Sequence, residues 1–143
     1  MKVFFDSSIF IKYLAGIEDA KKLIDRVERG EWRGYTSDVV ISEVAYGYLR
    51  LALNVPRYRL RDYVVKYIDR VRELLEQDVY SLFIDFEHLP ISVGIDRLLE
   101  YIVSYKLLPN DALIVATCRT YGIDTIATFD KDFKRVPWLR VVP

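Results

Sequence analysis

The chain has 143 residues, enough for one domain and too few for two, and its 52% apolar content supports one sizeable core without a disulfide or structural metal. Its formal charge is zero, 21 basic against 21 acidic side chains, which argues against a protein that coats nucleic acid by bulk charge but allows an acidic pocket with a basic rim. The opening MKVFFDSSIF lacks a signal-peptide core and no apolar run approaches the ~20 residues of a membrane span, so the expected location is cytoplasmic.

In chain order, Lys2 to Phe5 is a short apolar strand ending at Asp6, and Ser7 and Ser8 lead into the helix IFIKYL with a serine as its N-cap. Glu18 to Arg29 places Ala20, Leu23, Ile24 and Val27 at helical spacing. Gly30 and Gly34 bracket a turn, Tyr35-Thr36 is a candidate short strand, and a third helix runs from Val39 to Leu53. Ile41, Val44, Tyr48 and Leu51 form that helix's core stripe, and Pro56 breaks it. Tyr58 to Glu76 is expected as one long helix with Leu60, Val64, Tyr67, Ile68, Val71 and Leu75 inward, followed by a strand at Tyr80 to Ile84. Gly94 to Lys106 is helical. Pro109-Asn110 stops it and caps the next helix, Asp111 to Tyr121, which is apolar nearly all round and therefore buried, with Gly122 at its end. The single cysteine, Cys118, lies in that helix and reads as a small buried apolar residue of an intracellular protein. Thr125 to Thr128 is a strand, Asp130 to Phe133 a turn or short helix, and Leu139 to Val142 a last strand.

Strands alternating with helices in one short chain imply a single α/β domain over residues 1–143, a three-layer α/β/α arrangement around a mainly parallel sheet. Ligands of such sheets bind at the carboxyl ends of the strands. Asp6 follows the first strand, Asp130 follows Thr125–Thr128, Asp111 opens a helix, and Glu43 lies off the apolar stripe of the third helix. Singly, each has an ordinary reading as a turn or capping residue. Together they would place four carboxylates in one pocket. Like charges there raise one another's pKa, and the remedy is a hard divalent cation. Oxygen-only ligands select magnesium or manganese, ions that support hydrolysis of a phosphodiester. A phosphoaspartyl phosphatase would need a second Asp where Ser8 stands, and a dinucleotide-binding fold would need a glycine-rich turn that is absent.

DSSIFI, SEVAYG around Glu43, PNDALIVATC around Asp111 and IATFDKDF around Asp130 resemble, in order and over essentially the whole chain, the four motifs of the PIN-domain nucleases. The resemblance implies a Mg2+- or Mn2+-dependent endoribonuclease, often the VapC toxin of a toxin–antitoxin pair, with RNA as substrate and a small antitoxin as partner. It implies Asp6 and Asp111 as the most direct metal ligands, Glu43 and Asp130 completing the cluster, and Ser7 and Thr128 as supporting hydroxyls. Asp132 is the alternative to Asp130. Other readings within the resemblance are a housekeeping RNA-processing nuclease and a non-catalytic scaffold that binds a protein.

Arg57, Arg59, Arg61, Lys66, Arg70 and Arg72 are interleaved with Tyr58, Tyr63 and Tyr67. The favoured reading is a solvated helix face paired with Asp62, Asp69 and Glu73, its tyrosines in the core. The competing one has guanidinium groups on phosphates and tyrosines stacked on unpaired bases. Tyr63 and Tyr67 are also candidates for a homodimer interface. His88 lies outside every motif and reads as an ordinary loop histidine.

Overall fold

A computed structural model describes all of residues 1–143. Its five strands are β1 (Lys2–Phe5), β2 (Arg33–Ser37), β3 (Glu87–Leu89), β4 (Thr125–Ala127) and β5 (Arg140–Val142). They form one sheet in the order β3-β2-β1-β4-β5, and every neighbouring pair is parallel. β1 is central and pairs Phe4 with both Tyr35 and Ile126. That position explains why Val3, Phe4 and Phe5 form a continuous apolar run: all three are fully buried, as a strand covered on both faces requires.

The helices are α1 (Ser7–Leu14), α2 (Glu18–Glu28), α3 (Asp38–Leu53), α4 (Leu60–Lys66), α5 (Ile68–Leu74), α6 (Ile95–Tyr105) and α7 (Pro109–Thr120). With right-handed crossovers, the walk β1–β2–β3 lays α1 to α5 on one face and the return to β4 lays α6 and α7 on the other. Packing agrees: α1 contacts α2 and α3, and α6 contacts α7. The chain reverses direction between β1 and β4, the switch point at which a doubly wound sheet opens a crevice. No helix is long and apolar enough to cross a membrane.

Several local expectations are corrected. The N-cap of α1 is Asp6, not a serine, and its side chain makes no cap bond; Ser7 and Ser8 occupy the first turn. In α3 the buried residues are Val40, Val44 and Tyr48, while Leu51 lies beyond the core and is exposed. Asn54, at φ 48°, closes α3 in the left-handed conformation two residues before Pro56. The long helix expected over Tyr58 to Glu76 is broken at Tyr67 (φ −119°, ψ 40°), so that α4 and α5 take different directions. α4 buries Leu60 alone, whereas α5 buries Val71 and Leu74 and packs on α3. Tyr67 and Ile68, expected to face inward, are both exposed.

A π-helical turn, Leu75–Val79, continues α5. Tyr80–Ile84 is no strand: Tyr80–Phe83 is a 3-10 turn that aims Phe83 at Phe10, ring centroids 4.7 Å apart. The edge strand is instead Glu87–Leu89, and His88 lies within it, its Nε2 2.7 Å from Asp38 Oδ1. Short apolar runs do not distinguish a strand from a helical turn by pattern alone. The buried α7 and the buried Cys118 are as expected, although Leu108 caps the helix and Pro109 is its first residue.

Phe86 joins the same aromatic cluster, 5.0 Å from the rings of both Phe5 and Phe10. It leaves no room beside β2: a Cβ on Gly34 would lie 2.7 Å from two Phe86 ring carbons and 3.0 Å from Val27 Cγ1. Gly34→Ala is therefore expected to destabilise the fold by about 1–3 kcal/mol, the usual cost of overpacking. Urea denaturation reads this directly; an unchanged midpoint would mean that the Phe86 ring gives way freely.

Candidate active site

Asp6 leaves the end of β1 and hydrogen-bonds through its backbone N–H to Ala127 O at the end of β4, 3.0 Å away. The chain thus reaches the crevice at two adjacent strand ends. Asp6 is only 4% exposed, yet it is well satisfied: Ser8 Oγ and Thr128 Oγ1 donate to its Oδ2 at 2.9 and 2.8 Å. Those hydroxyls also fasten the loop after β4, because Phe129 N–H donates to Ser8 Oγ and Asp130 N–H donates to Thr128 Oγ1.

Glu43, in the second turn of α3, is held at both oxygens. Ser7 Oγ donates to Oε2 at 2.7 Å and Asn110 Nδ2 donates to Oε1 at 2.8 Å. Asn110 comes from the first turn of α7, so this amide ties together helices from opposite faces of the sheet. Asp111 follows it and is half-buried. Carboxylate oxygens of Asp111, Asp130 and Asp132 lie within 4.8 Å of one another. Asp130 caps the 3-10 turn Lys131–Arg135, accepting from Asp132 N–H at 2.9 Å, and Asp132 also pairs with Arg135 at 2.9 Å.

The electrostatics are those of a crowded anionic pocket. Burial pushes the Asp111 carboxyl up to about 7, and the charges of Asp6, Asp130, Glu43 and Asp132 add to the effect. Asp6 is also raised, chiefly by burial, against the bonds from Thr128 and Ser8 that favour its charged form. The donor set is entirely oxygen, suited to a hard cation rather than to zinc.

The structure therefore brings Asp6, Glu43, Asp111 and Asp130 to one end of the sheet, with Ser7 and Thr128 bonded to two of them. Asp132 stands beside Asp130 rather than apart from it. His88 is elsewhere, on the edge strand. Two residues have roles here that sequence reasoning misses. In the sequence Ser8 reads only as a possible cap and Asn110 as a helix stop. Asn110 does carry a signal: it is one of only three side-chain amides in the chain and directly precedes a candidate acid.

Comparison with known proteins places the chain as a whole. The PIN domain profile matches residues 3–139. Ribonuclease VapC2 of Methanocaldococcus jannaschii is 43% identical over 142 residues, covering 99% of this chain and 93% of that protein. Ribonuclease VapC6 of the same organism is 29% identical over 158 residues, covering 98% and 95%. Among solved structures, a toxin–antitoxin complex from Klebsiella pneumoniae contains a chain that superimposes with a TM-score of 0.61 at 25% identity, over 99% of this chain and 96% of that one. With the profile spanning nearly every residue and a relative of this identity matched end to end, the chain belongs to the PIN domain family.

Proposed function

We propose that this chain is a divalent-metal-dependent endoribonuclease that hydrolyses phosphodiester bonds in RNA and serves as the toxin of a toxin–antitoxin pair in the cytoplasm. The observation that carries the reading is the cluster of carboxylates at the carboxyl ends of β1 and β4: oxygens of Asp111, Asp130 and Asp132 lie within 4.8 Å of one another, and Asp111 feels the charges of Asp6, Asp130 and Glu43. The names of the two Methanocaldococcus jannaschii relatives support the ribonuclease assignment, and the toxin–antitoxin complex supports the partner.

In this reading Asp6 and Asp111 hold a magnesium or manganese ion and Glu43 and Asp130 complete its surroundings. When bound, such an ion lowers the pKa of a water and stabilises charge building on the phosphate. The rest is the work of the chain. Ser8 and Thr128 orient Asp6 and favour its charged form against the opposing effect of its burial. Ser7 and Asn110 hold both oxygens of Glu43 and so fix the orientation of its carboxylate. Preorganisation of this kind spares reorganisation at the moment of reaction. An antitoxin would silence the pocket by inserting a basic side chain, and arginine suits it because its planar fork meets two carboxylate oxygens.

The test is cleavage of an unstructured RNA by the purified chain with Mg2+ or Mn2+, and again with EDTA. Cleavage is expected with the ions and none with the chelator; intact RNA under all conditions overturns the reading. In the same assay Asp130→Ala should abolish cleavage and Asp132→Ala should leave much of it. The opposite pattern transfers the fourth position to Asp132.

A further inference from the structure

The basic, tyrosine-rich segment after α3 plays no part in the acidic pocket, and its structure departs from the solvated, ion-paired face that its sequence suggests. Only its far end is paired: Arg70 with Glu73 at 2.9 Å and Arg72 with Glu76 at 2.8 Å. Arg50, Arg57, Arg59, Arg61 and Lys66 form no ion pair, and neither do Asp62 and Asp69. Between Arg50 and Tyr67 there are five cations and one carboxylate, a local charge of +4 in a chain whose formal total is zero. Neutrality overall therefore conceals a separation of charge, positive at this end and negative in the rest.

The tyrosines are not in the core. Tyr58 is 82% exposed and Tyr67 41%. Tyr63 and Tyr67 lean on each other, ring centroids 4.4 Å apart, and Lys66 Nζ lies 5.3 Å from the Tyr67 ring centre. With Arg59 and Asp62, these three residues line an open cleft of about 380 Å3. α4 packs mainly on the turn before it and on α5 after it, so it projects from the body with this cleft uncovered.

Resting on the ribonuclease reading above, we propose that the end of α3 together with the turn Arg57–Arg59 and α4 forms a second RNA-contact surface, separate from the acidic pocket, that holds single-stranded RNA. Unpaired guanidinium and ammonium groups take the phosphates, and exposed tyrosine faces take unstacked bases. Single strands are favoured because aromatic stacking needs bases free of a duplex. A second copy of the chain is disfavoured as the occupant, since two +4 surfaces repel one another.

The placement suits a substrate that also enters the pocket. Glu43 and Arg50 lie on the same helix seven residues apart, which is about 10 Å along its axis, and α4 lies beyond Arg50. An RNA cut at the acidic cluster would extend along α3 onto this surface, so the positive end offsets the repulsion that the pocket exerts on phosphates.

The experiment measures binding of a labelled unstructured RNA of about 16 nucleotides, and of a duplex of the same length, by fluorescence anisotropy in EDTA over a salt series. The variants are Arg57→Gln/Arg59→Gln/Arg61→Gln/Lys66→Gln and Tyr58→Ala, all at exposed positions. The fourfold variant is expected to weaken single-strand binding at least tenfold at low salt and to reduce the salt slope by about 2–3, since each neutralised phosphate of a single strand adds roughly 0.7 to it. Tyr58→Ala should weaken it about fivefold or more without changing the slope. Wild-type affinity and slope in both variants overturn the proposal, as does a duplex that binds as tightly with the same dependence on Tyr58. Loss of self-association in the fourfold variant with RNA binding intact also overturns it, in favour of a protein partner at this surface. Cleavage in Mg2+ or Mn2+ is read separately. A wild type that binds through this surface but does not cut sinks the ribonuclease reading alone, and one that cuts with both variants unaffected sinks the second surface alone.

Discussion

Asp111→Asn is expected to lower RNA cleavage about a thousandfold while leaving the metal-free protein at least as stable as the wild type. The two effects have one origin. Asp111 is half-buried and faces the charges of Asp6, Asp130, Glu43 and Asp132, which together with burial push its carboxyl up to about 7. Folding an ionised carboxylate into that position is unfavourable, so an amide of the same shape relieves repulsion. The same amide withdraws a negative ligand from a site proposed to hold a divalent cation. Loss of several kcal/mol of transition-state stabilisation follows, and ~4 kcal/mol corresponds to about a thousandfold in rate. Cleavage kinetics paired with thermal melts in EDTA separate this from simple misfolding. A variant that cuts RNA at the wild-type rate would reduce Asp111 to a first-turn helix residue with no part in the chemistry.

The strand ends that build this site were legible because β1 and β4 carry unmistakable signals: a short apolar run, then an acid, then a helix or turn. α7 was legible for a similar reason, since a helix apolar on every side has only the interior to occupy. The stretch from Tyr58 to Ile84 was not. Its apolar positions fit one helical stripe, but the helix is broken at Tyr67, and Tyr67 and Ile68 of that stripe face water. Tyr80–Phe83 has the composition of a strand, and tertiary packing of Phe83 on Phe10 decides otherwise. In the site, the acids announced themselves by position, whereas the groups that orient them did not. Ser8 meets Thr128, 120 residues away, and Asn110 reaches Glu43, 67 residues away, and spacing along the chain reveals neither contact. The charge separation around α4 was hidden by the same limit. Spacing of three and four residues offered Asp62 and Asp69 as partners, yet neither forms an ion pair.

The metal-free protein is expected to lose stability as pH rises from about 4 to 8, the opposite of the behaviour of a salt-bridged carboxylate. Asp111 has a folded pKa of about 7 against an ordinary value of 3.8, and Asp6 is raised as well. A carboxyl raised in the folded state binds its proton more tightly there than in the unfolded chain. Its contribution is therefore fully present below the unfolded value and is lost as pH passes through the folded one. Discounted for the solvent that screens a half-exposed group, Asp111 accounts for about 1–2 kcal/mol. In a domain of this size that is a fall of roughly 3–8 °C in Tm. Mg2+ or Mn2+ should reverse the fall at pH 8, by about 2.7 kcal/mol at a hundred times the dissociation constant, and should do far less at pH 5, where protons compete for the same oxygens. Asp111→Asn isolates the effect from other titrating groups: its melting temperature should depend less on pH and respond less to metal. If the variant keeps the wild-type pH dependence and the full response to metal, then the charge that matters resides on Asp6, Glu43, Asp130 or Asp132, and Asp111 is not the residue that couples the pocket to its ion.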